Sequence, residues 1–153
     1  MTHKISLSTL ILTLTTTLLL LNACSDGHDH HYAPIGIVLS VDGDMLASQE
    51  QHTITYADGE AISIPAGATT ETITVQFLSD DSTPFTPEHS GYSLRYDIEN
   101  TDILEVAHPV DNNSWALRLT GSQAGTTTIQ FELWHDGHSD FTSAAFQVAV
   151  HEE

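Results

Sequence analysis

His135 and His138 stand on either side of Asp136-Gly137, in the run Ile129-Gln-Phe-Glu-Leu-Trp-His-Asp-Gly-His-Ser-Asp140. Asp-Gly between two alternating runs is the strongest short-range signal for a β-hairpin, with the two central residues in a type I′ turn. Residues flanking such a turn face each other across the ladder, with Cβ atoms about 5 Å apart. Two imidazoles at that spacing can hold one metal ion. Asp140, diagonal to His135, adds a carboxylate oxygen to the set. Imidazole and carboxylate together suit borderline ions, so Zn²⁺ is the first expectation and Cu²⁺ the second. A fourth ligand could come from His28, His30 or His31, from another loop, or from water. Protonated imidazole cannot ligate, so acidification to about pH 5 is expected to release the ion.

The elements that must position these groups follow from the same register. Pairing 135 with 138 in an unbroken ladder sets Leu133 opposite Asp140, Phe131 opposite Thr142, Ile129 opposite Ala144 and Thr127 opposite Phe146. The face bearing the two histidines is then the apolar face, and Phe131 and Leu133 form its floor. A slip of one residue would turn both to water. The metal is not expected to be needed for folding, because the hairpin rests on its own core. Asp136 is expected to point into the turn and support its backbone.

The chain opens with Met1 to Lys4, then Ile5 to Leu21, which are all apolar, Thr or Ser, and then Leu21-Asn22-Ala23-Cys24. A charged start, an apolar middle and a small residue before the cut are the layout of a secretory signal peptide. Leu-x-Ala-Cys at this place resembles the lipobox of bacterial lipoproteins. That resemblance implies cleavage before Cys24, a diacylglycerol on its sulfur and an acyl chain on the new amino group. Two such signals already anchor a protein stably to a membrane. Within that family, Ser25 rather than an aspartate after the cysteine points to the outer membrane. Residues 1–23 are therefore expected to be cleaved. Residues 24–33 are expected to form a lipidated, His-rich tether in which Asp26 and Asp29 accompany His28, His30 and His31.

Cys24 is the only cysteine, so no internal disulfide forms and no thiolate metal site is available. Beyond residue 23 only Arg95 and Arg118 face 21 acidic residues. Nucleic acid is excluded as a partner, since phosphate binding needs clustered Lys and Arg. A negative field does concentrate cations. The expected partners are thus the membrane, through the lipid, a metal ion and another envelope protein.

Residues 34–153 are long enough for one domain. Ile35 to Val41 reads as a strand and Asp42-Gly43-Asp44 as a plain turn. His52 to Tyr56 and Glu60 to Ile64, joined at Asp58-Gly59, read as a hairpin. Ile73, Val75 and Phe77 form one inward face; Tyr92, Leu94, Tyr96 and Ile98 form another; Trp115, Leu117 and Leu119 a third. Ser79 to Gly91 has no period and reads as a long crossing between sheets. No stretch after the signal has helical periodicity. Eight or nine short strands separated by Gly, Asp, Asn and Pro predict an all-β, antiparallel sandwich. Asn100-Thr-Asp-Ile-Leu-Glu-Val, Trp115-Ala-Leu-Arg-Leu-Thr-Gly and Ala124-Gly-Thr-Thr-Thr-Ile resemble bacterial Ig-like domains over roughly residues 70–150. The resemblance implies the fold and leaves the function open.

No His-Glu-x-x-His helix, Gly-x-Ser-x-Gly elbow or phosphate-binding glycine loop occurs, and no cysteine nucleophile, so no enzyme is expected. Two functions remain. One is an envelope lipoprotein that binds transition metal through the hairpin tip and the tether. The other is an Ig-like interaction or adhesion module with no metal function of its own. His52, His89, His108 and His151 are expected at the surface.

Overall fold

Ile129, Phe131 and Leu133 are wholly buried, while Gln130, Glu132 and Trp134 between them are only half-buried. That two-residue period is a strand with one dry face, and it recurs along the whole domain. The computed structural model describes residues 33–152, which contain twelve strands and no helix. In chain order they are β1 (Gly36–Val41), β2 (Asp44–Glu50), β3 (Thr53–Tyr56), β4 (Ile62–Pro65), β5 (Ile73–Leu78) and β6 (Pro84–Phe85). They continue with β7 (Tyr92–Ile98), β8 (Leu104–Ala107), β9 (Ala116–Gly121), β10 (Gly125–His135), β11 (His138–Thr142) and β12 (Phe146–His151).

Two sheets share one core. The first runs β3-β2-β1-β5-β9-β8, with β6 beside β5. The second is built on β10, which pairs with β7 along one side and with β11 and β12 along the other, while β4 joins β12. Ile37, Leu39, Ile73, Val75, Phe77, Leu117 and Leu119 of the first sheet meet Ile62, Ile64, Leu94, Ile129, Phe131, Leu133, Phe146, Val148 and Val150 of the second. The expected β-sandwich is therefore the architecture, and Ser79 to Gly91 does cross from one sheet to the other.

Two local expectations are corrected. Asp42-Gly43 is a turn, but Asp44 to Glu50 continues as a full strand paired to β1. Its buried residues are only Ala47 and Gln49, with Leu46 half-buried beside them, too sparse an alternation to read as a strand. The expected hairpin across Asp58-Gly59 does not form. β3 pairs with β2 in the first sheet, while β4 pairs in parallel with β12 in the second. Ile62 and Ile64 are 2% exposed there. Beside β3, whose Ile54 and Tyr56 are themselves only half-buried, they would lie at the sheet margin. Pro65 ends β4 on an outer edge, where a missing amide costs nothing. The sandwich thus holds one parallel pair, and β6 and the split of β11 from β12 raise the strand number further.

Candidate metal centre

The tip is built from the turn outward. Asp136 has φ of 41° and Gly137 of 97°, the two left-handed residues that a type I′ turn requires. His135 pairs with His138 as the spacing predicts. The ladder then departs from the expected register. Trp134 pairs with Ser139, but Leu133 pairs with Phe141, so Asp140 is the extra residue of a β-bulge. Farther down, Ser143 donates its amide to Phe131 O at 2.8 Å, and its hydroxyl accepts from Phe131 N at 2.9 Å. A second extra residue enters between Ser143 and Phe146, so Ile129 lies opposite Phe146 and Thr127 opposite Val148. The predicted partners Asp140, Thr142, Ala144 and Phe146 are each displaced.

The physical reason is Phe141. Its ring meets Phe77 of the facing sheet edge-on, with centroids 5.9 Å apart. In an unbroken strand His138 and Phe141, an odd number apart, cannot both share the face of His135 and Leu133. The bulge at Asp140 lets both do so, and the extra residue before Phe146 does the same for Phe141 and Phe146. The bulge also leaves Asp140 over the core end of the hairpin rather than out in solvent.

The three predicted ligands are brought together. One ligand atom from each of His135, His138 and Asp140 lies within 4.8 Å of the others. His138 Nε2 is 2.8 Å from Asp140 Oδ1, and His135 Nδ1 is 3.5 Å from Asp140 Oδ2. A tetrahedral ion with bonds of about 2.0–2.2 Å holds its ligand atoms about 3.3–3.6 Å apart. The His135–Asp140 pair already has that spacing. The His138–Asp140 pair, at 2.8 Å, is closer than that, and would have to open by about half an ångström or more to share one ion. The Asp140 side chain is 7% exposed, that of His135 10%, and that of His138 54%. The site therefore has a buried floor and one ligand facing water. A carboxylate so removed from solvent is stabilised by a cation beside it.

Three further groups lie against the His135 ring, and two of them, Tyr92 and Gly91, were not singled out in the sequence. Tyr92, its partner on β7, stacks on it with centroids 4.1 Å apart and planes 10° from parallel. Gly91 closes the ring's edge. A Cβ there would lie 3.0 Å from His135 Cδ2, 3.2 Å from Nε2 and 3.2 Å from Asp136 Oδ1. Asp136 Oδ2 lies 3.2 Å from His135 Nε2. Asp136 was expected to point into the turn; its carboxylate instead lies beside the His135 ring. The available signal was Gly91-Tyr92 at the head of a strand with the same parity as His135.

Among the described residues, His52, His89, His108 and His151 are not part of this cluster. His52, His89 and His151 are exposed. His108 is half-buried: its Nε2 lies 2.9 Å from Ser114 O and its ring is edge-on to Tyr96, so it helps hold a loop. On the outer face, the Arg95 guanidinium lies 3.5 Å over the Trp134 ring. Residues 1–23, Cys24, His28, His30 and His31 lie outside the described residues.

No family model matches the chain, and no curated protein matches it. Among solved structures it is similar to domains 4 and 5 of the S-layer protein SbsC, at 14% identity and a TM-score of 0.42, over 76% of this chain and 65% of that one. It is also similar to domains 4-9 of surface layer protein SbsC, at 12% identity and a TM-score of 0.43, over 80% of this chain and 23% of that one. The chain thus spans less than two-thirds of either. Both likenesses are too distant to carry a function across.

Proposed function

We propose that this protein is a lipid-anchored lipoprotein of the bacterial envelope that binds a transition-metal ion, Zn²⁺ or Cu²⁺, at its hairpin tip. The observation that carries the reading is the convergence of His135, His138 and Asp140 within 4.8 Å. A type I′ turn fixes two of them and a bulge delivers the third. The role is binding rather than catalysis, since Tyr92 and Gly91 wall in one ligand and only His138 opens widely to water. The anchor rests on the lipobox residues Leu21 to Cys24, and the outer membrane on Ser25. His28, His30 and His31 in the tether would supply a second, looser set of imidazoles.

The test is thermal denaturation of the protein with and without Zn²⁺ or Cu²⁺. Binding to the folded state alone stabilises it by about 2.7 kcal/mol at a hundredfold excess over Kd. His138→Ala is expected to remove most of that gain. If neither ion raises the melting temperature, the domain is an envelope interaction module instead.

A further inference from the structure

His135 lies between two carboxylates, with Asp140 beside Nδ1 at 3.5 Å and Asp136 beside Nε2 at 3.2 Å. A neutral imidazole carries one hydrogen, on one nitrogen or the other, and only the bare nitrogen can bind a metal. If the hydrogen sits on Nδ1, it takes the Asp140 side of the ring and fills the place the ion would take. If it sits on Nε2, it takes the Asp136 side, and the Nδ1 lone pair is left on the side of Asp140. Which carboxylate wins the hydrogen decides whether the site can load.

We propose that Asp136 is the positioning residue that keeps the His135 hydrogen on Nε2 and so presents the Nδ1 lone pair for ligation. This rests on the reading of the tip as a metal site. It assigns the turn aspartate a role separate from turn formation. Three observations support it. The Asp136 carboxylate is the nearer of the two. Tyr92 stacks flat on the ring and Gly91 abuts its Nε2 edge, so the ring is held against flipping. Asp140 is also engaged by His138 at 2.8 Å, which weakens its claim on the His135 hydrogen. A carboxylate on the far nitrogen of a ligating histidine fixes the tautomer and raises the basicity of the near one. Losing such a partner typically costs tenfold to a hundredfold in metal affinity.

The turn makes the experiment clean. Asn-Gly is as good a type I′ turn as Asp-Gly, so Asp136→Asn removes the charge and keeps the hairpin. Asp136→Gly is a second variant that also tolerates a φ of 41°. The untagged full-length protein, purified in detergent, is labelled with ¹⁵N-histidine and read by long-range ¹H–¹⁵N NMR, first metal-free and then with Zn²⁺. The wild type is expected to carry the His135 hydrogen on Nε2. Both variants are expected to move it towards Nδ1 and to bind Zn²⁺ at His135 ten- to a hundredfold more weakly, with the hairpin's amide spectrum retained. A metal-free wild type with the hydrogen on Nδ1 overturns the assignment. So do variants that keep the wild-type tautomer and affinity. If Zn²⁺ leaves the wild-type His135 signals unmoved, the metal reading itself fails, and the metal-free tautomers still decide which carboxylate holds the hydrogen.

Discussion

Asp140 Oδ1 lies 2.8 Å from Nε2 of His138, two residues back along the same strand. Residues two apart in a regular strand share a face but stand about 6.6–6.8 Å apart at their Cα atoms. The bulge at Asp140 re-aims its side chain, and the carboxylate meets the imidazole of His138 across that spacing. Site and fold are separable here, since the bulge carries the ligand while Phe141, beside it, carries the packing.

Deleting Asp140 should therefore spare the fold and abolish the site. Phe141 would follow Ser139 directly and stay opposite Leu133, with its ring still on Phe77. We expect the deletion to change stability by about 1 kcal/mol or less and to remove the Zn²⁺-dependent rise in melting temperature. Urea denaturation with and without metal measures both. Retained metal stabilisation would show that the ligand set is wrong.

Gly91→Ala tests the wall behind His135. The backbone at 91 lies outside the left-handed region, so the added methyl acts only through contact. It would meet ring atoms at 3.0–3.2 Å, closer than comfortable packing allows, and tilt the imidazole off Tyr92. We expect Zn²⁺ affinity to fall about tenfold, the low end for a supporting contact, with the melting temperature of the metal-free protein nearly unchanged. Isothermal titration reads the first and calorimetry the second.

Phe77→Ala should loosen the tip through the core. Phe77 is wholly buried and touches Phe85, Trp115 and Phe141 with centroids 6.3, 5.9 and 5.9 Å away. Truncating a buried phenylalanine costs about 3–5 kcal/mol. Because one of its neighbours anchors the bulge, amide exchange in residues 138–142 should quicken more than in β12. Equal acceleration in both strands would mean that the Phe77–Phe141 contact has no special hold on the tip.

Asp81 gives the pH dependence a sign. Its carboxylate accepts from Ser79 Oγ at 2.6 Å and from Thr83 N at 3.1 Å. The Ser79 bond first, and then the Thr83 bonds, hold its pKa below the ordinary 3.8. The folded state thus binds this proton less readily than the unfolded chain. Its contribution is present in full above 3.8 and is lost as pH falls through the lower folded value. Carboxyl NMR titration should place the Asp81 midpoint below 3.8, and Ser79→Ala should move it back up. A wild-type midpoint at or above 3.8 would refute the turn's role.

Alternation, turns and pairing across the tip could all be read from the chain, because each is local. A two-residue period buries Ile129, Phe131 and Leu133 whatever their partners, and Asp136-Gly137 can bend only one way, which sets His135 against His138. The sequence alone therefore determined a β-sandwich and two imidazoles side by side. The tertiary structure decided the rest, because it turns on competition for the core between distant residues. Phe77 draws Phe141 inward and forces the bulge that places Asp140. Val148 and Val150 claim Ile62 and Ile64 from the nearer β3. Tyr92 and Gly91 reach His135 only because β7 crosses from the other sheet to pair with β10. No window of neighbouring residues contains those choices, since the burial that drives them is shared between strands tens of residues apart.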